Sequence, residues 1–241
     1  MDAASSTAAV ICAAGSSSRM GGIKKEYKKL NEGAQSLTVL GSVVRAFASV
    51  PSVQIIVIAV PENGEEDARS SLPREFLTAL SPKIFFVKGG ETRRISVFNA
   101  LSFLASLSPC YVLIHDGARP WVSPSLIEKI IAAVKKHGAV IPLLPLTDTP
   151  KECACSFVEM EPEGEEAVFI KNHLKRASTG IAQTPQAFKF PEILEAHEKA
   201  AGVEDEEFTD DAEIWGRFFG PVAVVLGDPQ NKKITFPEDI K

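Results

Sequence analysis

The residues with the clearest capacity for chemistry lie in one stretch, from Ala8 to Tyr27. The apolar run of residues 8–14 is followed by a mostly small-residue loop, residues 15–22, and then by several lysines. Small side chains let backbone N–H groups approach phosphate oxygens closely. Arg19 and Lys25 place positive charge beside that backbone. The combination predicts a binding site for a nucleoside triphosphate.

Two common phosphate-binding motifs are absent from this stretch. The dinucleotide fingerprint G-x-G-x-x-G fails because Ser17 and Met20 stand where glycines are required. The Walker motif fails because no Gly-Lys-Ser/Thr follows Gly15. The missing fingerprint disfavours a dehydrogenase. From these residues alone, an ordinary turn followed by solvated basic side chains remains an alternative.

The composition is that of an ordinary globular protein, with 241 residues, 45% hydrophobic and 24% charged. The net charge of −5 gives no reason to expect a nucleic-acid partner, so an anionic ligand must be held by a local cluster of cations. Residues 8–14 are too few to span a membrane and follow no basic segment, which favours a first strand. The four cysteines form no metal-binding pattern, and we expect a cytoplasmic location.

Strand-like and helix-like segments alternate along the chain. The apolar runs typical of buried strands are Ala8–Ala13, Gln54–Val60, Lys83–Val87, Tyr111–His115, Ala139–Leu144 and Val222–Leu226. The segments with helical spacing are Leu37–Val50, Thr92–Leu107, Ser123–His137 and Pro191–Ala201, and a further helix is expected to begin at Thr209 as its cap. This order predicts an α/β domain with a mostly parallel sheet and helices on both faces.

Ligands of such folds bind at the carboxyl ends of the strands. The loops predicted there include Lys88–Arg94, with a glycine pair, Asp116–Pro120, and Pro145–Lys151. The acidic segment Glu152–Glu166 interrupts the pattern. Its length favours a functional role, and an arm that packs on a second subunit is the sharper interpretation.

Taken in order, these loops resemble one known family. The matching motifs are A-A-G-S-S-S-R-M with K-K-E-Y, G-G-E-T-R-R-I-S-V, H-D-G-A-R-P, T-D-T, T-P-Q-A-F, F-T-D-D-A and N-K-K-I-T-F-P-E-D. They resemble the 2-C-methyl-D-erythritol 4-phosphate cytidylyltransferases. The resemblance implies a Rossmann-like three-layer sandwich, one nucleotidyltransferase domain over residues 1–241, and a protruding dimerisation arm at residues 148–182. It also implies a homodimer and cytidylyl transfer from CTP to the polyol phosphate with Mg²⁺.

The resemblance also implies roles for individual residues. Its catalytic residues correspond to Arg19, Lys25, Arg176 and Lys233. Its nucleotide-binding positions correspond to Ala13, Ala14, Gly15, Gly90, Glu91, Ser96, Asp116, Gly117 and Lys233. Its substrate contacts correspond to Asp116, Arg119, Thr149, Arg176, Thr184 and Thr209, with Asp116 also beside the metal. His115 is expected to orient its loop.

Several alternatives stay open at the level of sequence. Lys24 competes with Lys25 for the role of second catalytic cation, and Asp116 with Arg119 could be a buried structural pair. Residues 90–96 could be a glycine turn with a helix cap. Another polyol phosphate, such as ribitol 5-phosphate, could be the acceptor. A non-catalytic nucleotide-binding module could share the fold.

Overall fold

The computed structural model describes residues 6–15, 24–31, 36–154, 168–203 and 208–240. Arg19 lies outside these ranges. The strands are β1 (Thr7–Cys12), β2 (Val53–Val60), β3 (Lys83–Lys88), β4 (Tyr111–Asp116), β5 (Ala139–Pro145), β6 (Lys151–Cys153), β7 (Ile170–His173), β8 (Gly180–Ala182), β9 (Gln186–Lys189) and β10 (Ala223–Leu226). The helices are α1 (Val39–Ala48), α2 (Glu65–Ser70), α3 (Arg74–Thr78), α4 (Arg93–Leu104), α5 (Pro124–His137), α6 (Phe190–Ala201) and α7 (Asp211–Phe218).

Within the described residues, the main sheet has eight strands. Seven run in the order β10-β5-β9-β4-β1-β2-β3, and β8 pairs with β5. The pairs β10–β5, β4–β1, β1–β2 and β2–β3 are parallel, whereas β9 runs antiparallel between β4 and β5. The predicted α/β class with a mostly parallel sheet is confirmed.

Both faces of the sheet are covered by helices. On one face, Ala9 and Ile11 of β1 pack in a core with residues of α1 and α5. On the other, Ala8 and Val10 pack with residues of α4, α6 and α7. Because side chains alternate along a strand and both faces are buried, β1 is a continuous apolar run rather than an alternating one.

Local signals set the helix ends that position the loops. Ser123 caps α5 by accepting from Leu126 N, Pro124 is its first residue, and Gly138 at φ 81° ends it. The expected cap of α7 was wrong, because Asp210 rather than Thr209 accepts from Glu213 N. Thr209 instead donates its hydroxyl to Glu213 Oε2 at 2.8 Å. A carboxylate one residue later in the chain takes the capping position.

The segment predicted as an arm contains a short antiparallel ribbon. Strands β6 and β7 pair with Lys151 opposite His173, and Lys171 Nζ lies 2.7 Å from Glu152 Oε1. The final three residues of the range 148–182 form β8 and belong to the main sheet. A dimerising role for this ribbon stays a prediction.

Candidate active site

Eight of the predicted site residues line a pocket of about 600 Å³ at the carboxyl ends of the parallel strands. The predicted residues that line it are Ala14, Gly15, Lys25, Gly90, Glu91, Ser96, Asp116 and Lys233. Ala13, the residue before Ala14 in the chain, is fully buried, and its N–H donates to Ala59 O at 2.9 Å. Residues more than 200 positions apart in the chain therefore share one cavity.

Asp116 is the electrostatic centre of the pocket. Its side chain is 10% exposed, and Lys233 Nζ lies 2.9 Å from its Oδ2. Arg93 Nε lies 3.3 Å from Oδ1, and Arg119 Nε lies 3.6 Å from Oδ2. Burial acts to raise the pKa of Asp116, but Arg93, Lys233 and Arg119 outweigh it and hold that pKa well below its usual value. The carboxylate is therefore ionised and surrounded by cations.

A chain of buried hydrogen bonds orients the loop that carries Asp116. Thr184 Oγ1 accepts from Asp116 N–H at 3.1 Å and lies 3.0 Å from His115 Nδ1. His115 Nε2 lies 3.2 Å from the carbonyl oxygen of Arg119. Burial lowers the pKa of His115 to about 4, so its ring is neutral at pH 7. Because a carbonyl only accepts, Nε2 carries the proton and Nδ1 accepts from the Thr184 hydroxyl. His115 thus orients its loop, as expected.

The C-terminal loop is joined to the loop that follows β4. Ile234 N donates to Ala118 O at 2.8 Å, and Arg119 Nη1 donates to Asn231 O at 2.9 Å. Asn231 is fully buried and donates from Nδ2 to Thr184 O at 2.7 Å. These bonds place Lys233 beside Asp116. The predicted contact residue Arg119 is largely committed to this framework.

Both candidate lysines of the opening stretch line the pocket. Lys24 Nζ donates to the carbonyl oxygens of Ala14, at 3.2 Å, and Gly15. Burial lowers the pKa of Lys24. Lys25 Nζ donates to Ile234 O at 2.9 Å, next to Lys233. Lys24 therefore supports the small-residue loop, whereas Lys25 lies on the side of the pocket that holds Lys233.

Glycines let the surrounding backbones approach each other. A Cβ on Gly89 would collide with the Ala14 side chain and lie 3.2 Å from Val60 O. A Cβ on Gly117 would lie 2.8 Å from Cys12 O, which accepts the Gly117 N–H at 2.9 Å. The ends of β1, β2, β3 and β4 can meet only because these positions lack side chains.

Of the six predicted substrate contacts, Asp116 lines this pocket, Arg119 and Thr184 belong to the framework around it, and three lie elsewhere. Arg176 is exposed and donates from Nη1 to Thr147 O at 2.8 Å. It lines a separate groove of about 400 Å³ beside β5 and β10. Thr149 is exposed, and Thr209 bonds to Glu213. Thr184 does not line the pocket, and its hydroxyl accepts from the backbone N–H of Asp116. Within one copy of the chain, none of Arg176, Thr149 and Thr209 lines the pocket that contains Asp116.

Arg93 was not predicted as a site residue, although it lies in the G-G-E-T-R-R motif. Its guanidinium bonds to Asp116 and also to Asp211, with Nη2 2.8 Å from Asp211 Oδ2. Asp211 belongs to the F-T-D-D-A motif, where the second aspartate was the available signal. Nothing in the sequence pairs these two motifs, because the two residues lie 118 positions apart.

Comparison with known proteins gives the family. A family model described as IspD, 2-C-methyl-D-erythritol 4-phosphate cytidylyltransferase, matches residues 7–241. The chain belongs to this family. Among solved structures, this IspD-family chain resembles 4-diphosphocytidyl-2C-methyl-D-erythritol synthase from Anaerococcus prevotii, with a TM-score of 0.76, 27% identity, and coverage of 98% of this chain and 93% of that one. It also resembles 2-C-methyl-D-erythritol 4-phosphate cytidylyltransferase from Thermus thermophilus, with a TM-score of 0.71, 31% identity, and coverage of 98% and 95%.

Curated relatives carry a longer chain. The chain is 39% identical to a bifunctional enzyme IspD/IspF from Bradyrhizobium sp. over 97% of its own length and 54% of the relative. It is 33% identical to a bifunctional enzyme IspD/IspF from Bartonella bacilliformis over 98% of its length and 55% of the relative. The IspD-family chain thus spans about half the length of these relatives. Among its described residues, no helix combines the length and hydrophobicity needed to cross a bilayer.

Proposed function

We propose that this chain transfers a cytidylyl group from CTP to 2-C-methyl-D-erythritol 4-phosphate and releases pyrophosphate. The observation that carries the proposal is the ionised Asp116 carboxylate among Arg93, Arg119 and Lys233 in a pocket at the carboxyl edge of the sheet. Family membership supports the choice of nucleotide and acceptor. The cluster of cations supports phosphate chemistry.

The reaction needs fixed positive charge more than it needs a base. An oxygen of the acceptor phosphate attacks the α-phosphorus of CTP, forming a new P–O bond. The bond from that phosphorus to the oxygen bridging to the β-phosphate breaks, and pyrophosphate leaves with its electrons. A phosphate monoester is already largely dianionic at pH 7, so no side chain has to remove a proton. The barrier comes from repulsion between anions and from charge building up on oxygen.

The residues of the pocket suit these demands. The backbone of residues 13–15 and the glycine pair that opens α4 offer close approach to the nucleotide. Lys25, together with Arg19 from the same stretch, would stabilise charge on the triphosphate. Lys233 is already fixed by Asp116 at 2.9 Å and would hold the acceptor phosphate. Side chains held in place before the substrate arrives need little reorganisation in the transition state.

A magnesium ion fits Asp116 by the chemistry of the donor. Mg²⁺ commonly uses one or two carboxylates and takes its other ligands from phosphate oxygens and water. Among the described residues no group of three or more His, Cys, Asp or Glu side chains could hold a metal. Asp116, which lines the pocket, is the donor we propose. When bound, the ion would neutralise charge on the α-phosphate and the leaving pyrophosphate. Asp116 would orient it.

The direct test is turnover with CTP and Mg²⁺, with pyrophosphate release as the readout. We expect activity with 2-C-methyl-D-erythritol 4-phosphate and much slower activity with ribitol 5-phosphate. Lys25→Met should lower kcat by at least about 100-fold, the scale of one fixed charge-stabilising donor. Lys29→Met is the matched control, because Lys29 is exposed and does not line the pocket. Faster turnover of ribitol 5-phosphate would overturn the proposed acceptor, and CTP binding without turnover would favour a non-catalytic module.

We also propose a homodimer in which Arg176 of the arm acts in the site of the second copy. Within one chain Arg176 does not line the pocket and donates to Thr147 O instead, which supports this arrangement. Mixing inactive Lys25→Met and Arg176→Ala chains tests it. Random exchange should restore about a quarter of wild-type activity, since half the dimers then contain one complete site of two. No restoration would place Arg176 in the site of its own chain, and full activity of Arg176→Ala alone would place it outside catalysis. A cytoplasmic location stays a prediction.

A further inference from the structure

Arg93 connects the pocket to a carboxylate buried behind it. Thr92 caps α4 by accepting from Ile95 N, which makes Arg93 the first residue of the helix. The Arg93 guanidinium lies between Asp116, 3.3 Å from Nε, and Asp211, 2.8 Å from Nη2. A planar guanidinium holds its donors in fixed directions, so one arginine can set the angle between two carboxylates.

Asp211 is held by the fold and does not line the pocket. Its side chain is 1% exposed, and it is the first residue of α7. The start of that helix is attached to β9 through Gln186, which is 1% exposed. The Gln186 amide donates to Asp210 Oδ2 at 2.8 Å and accepts from Ala212 N at 3.0 Å. Asp211 is therefore anchored from the sheet and from its own helix.

Because Asp211 is buried, its carboxylate requires the balancing charge of Arg93. Behind the carboxylate lies His197, fully buried, with Nε2 3.3 Å from Asp211 Oδ1. An unpaired carboxylate at such a depth would cost several kcal/mol. Arg93 supplies the charge that balances it, and the bond to Asp211 leaves Nε directed at Asp116. The Arg93 side chain is still 31% exposed and lines the pocket.

We propose that Arg93 and Asp211 form a positioning pair that fixes the direction of the Asp116 carboxylate during cytidylyl transfer. Asp211 acts through Arg93 and touches neither substrate. This inference rests on the proposed function. Without Asp211, the guanidinium is free to turn toward the bound phosphates or to take both oxygens of Asp116. Either movement changes the direction in which Asp116 presents its oxygens.

The test compares Asp211→Asn, Arg93→Lys and the double variant. Asp211→Asn keeps the shape but removes the charge, and we expect it to lower kcat by about 10–100-fold while KM for CTP changes by less than about 3-fold. Arg93→Lys keeps the charge but loses the planar fork, and we expect a similar loss. The double variant should be no worse than the poorer single variant, because both act through one unit.

Arg94→Lys is the matched control. Arg94 is the neighbouring residue on α4, and no ion pair joins it to another described residue. Its kinetic constants should stay within about 2-fold of wild type. Thermal denaturation of every variant, with assays run well below the lowest Tm, separates loss of activity from loss of folded protein. If Asp211→Asn does not fold, the same test is made by comparing kcat and KM for CTP of Arg93→Lys with those of Arg94→Lys.

The outcomes distinguish the pair from the proposed function. A wild-type chain without cytidylyl transfer refutes the function and the pair together. An active wild type with normal kcat in Asp211→Asn overturns the pair alone. So does a double variant whose loss equals the product of the two single losses. A raised KM for CTP with unchanged kcat would also overturn it, because Arg93 would then bind ground-state phosphates rather than position Asp116.

Discussion

Replacement of Thr184 by valine should destabilise the fold through two hydrogen bonds that Thr184 makes behind the pocket. Thr184 is 5% exposed, accepts from Asp116 N–H at 3.1 Å and donates to His115 Nδ1 at 3.0 Å. Valine fills nearly the same volume, so no cavity opens. It leaves two buried polar groups without partners, each costing about 1–3 kcal/mol. We therefore expect the free energy of unfolding to fall by about 2–6 kcal/mol.

Thr7 provides an isosteric control in the same sheet. It is fully buried in β1, and its hydroxyl has no hydrogen-bond partner among the described residues. Thr7→Val removes an unpaired polar atom, so we expect a change within about 1 kcal/mol or a small gain in stability. Thr184→Ser keeps the hydroxyl and loses one methyl group, worth about 1 kcal/mol.

Urea unfolding gives the measurement, followed by far-UV circular dichroism and tryptophan fluorescence. Coincident transitions would justify a two-state free energy, and unchanged m-values would assign the change to stability rather than to the unfolded state. Equal losses for the two valine variants would refute the reasoning, because removing the two hydrogen bonds of Thr184 would then cost no more than removing the unpaired hydroxyl of Thr7. A loss in Thr184→Ser as large as that in Thr184→Val would refute it too.

Three further outcomes follow from the pocket. Gly89→Ala should lower the free energy of unfolding by about 1–3 kcal/mol through overpacking, measured by thermal denaturation. At Gly216 in α7 a Cβ meets nothing within 4 Å, so Gly216→Ala should raise it by about 0.5–1 kcal/mol. Lys25→Met should reduce kcat more than Lys24→Met, because Lys24 bonds to the carbonyls of its own loop; steady-state kinetics with the reverse order would make Lys24 the catalytic cation. EDTA should abolish turnover and leave Tm within about 2 °C, with excess Mg²⁺ restoring activity, since we place the metal only at the pocket; a large fall in Tm would point to a structural metal.

Local signals in the sequence were sufficient for the six parallel strands, for the longer helices and for the loops that form the pocket. They did not predict β9 or the short helices α2 and α3. The apolar run of β1 and the Ser123, Pro124 and Gly138 signals around α5 depend on neighbours a few residues away, so they can be recognised without the fold. Loops at the carboxyl ends of parallel strands meet by geometry. That rule alone predicts that Gly15, Gly90 and Asp116 lie close together. The order of the motifs gave the family.

Tertiary structure decided which side chains touch. Strand β9 enters antiparallel between β4 and β5, and this brings Thr184 behind Asp116 from 68 positions away. Arg93 and Asp211 meet across 118 positions. Such pairings depend on packing of whole elements rather than on local propensity, so no pattern in the sequence specifies them. The sequence by itself determined the family, the six parallel strands and the charged loops. Only the fold decided that Asp116 is held by Arg93, Thr184 and the C-terminal loop.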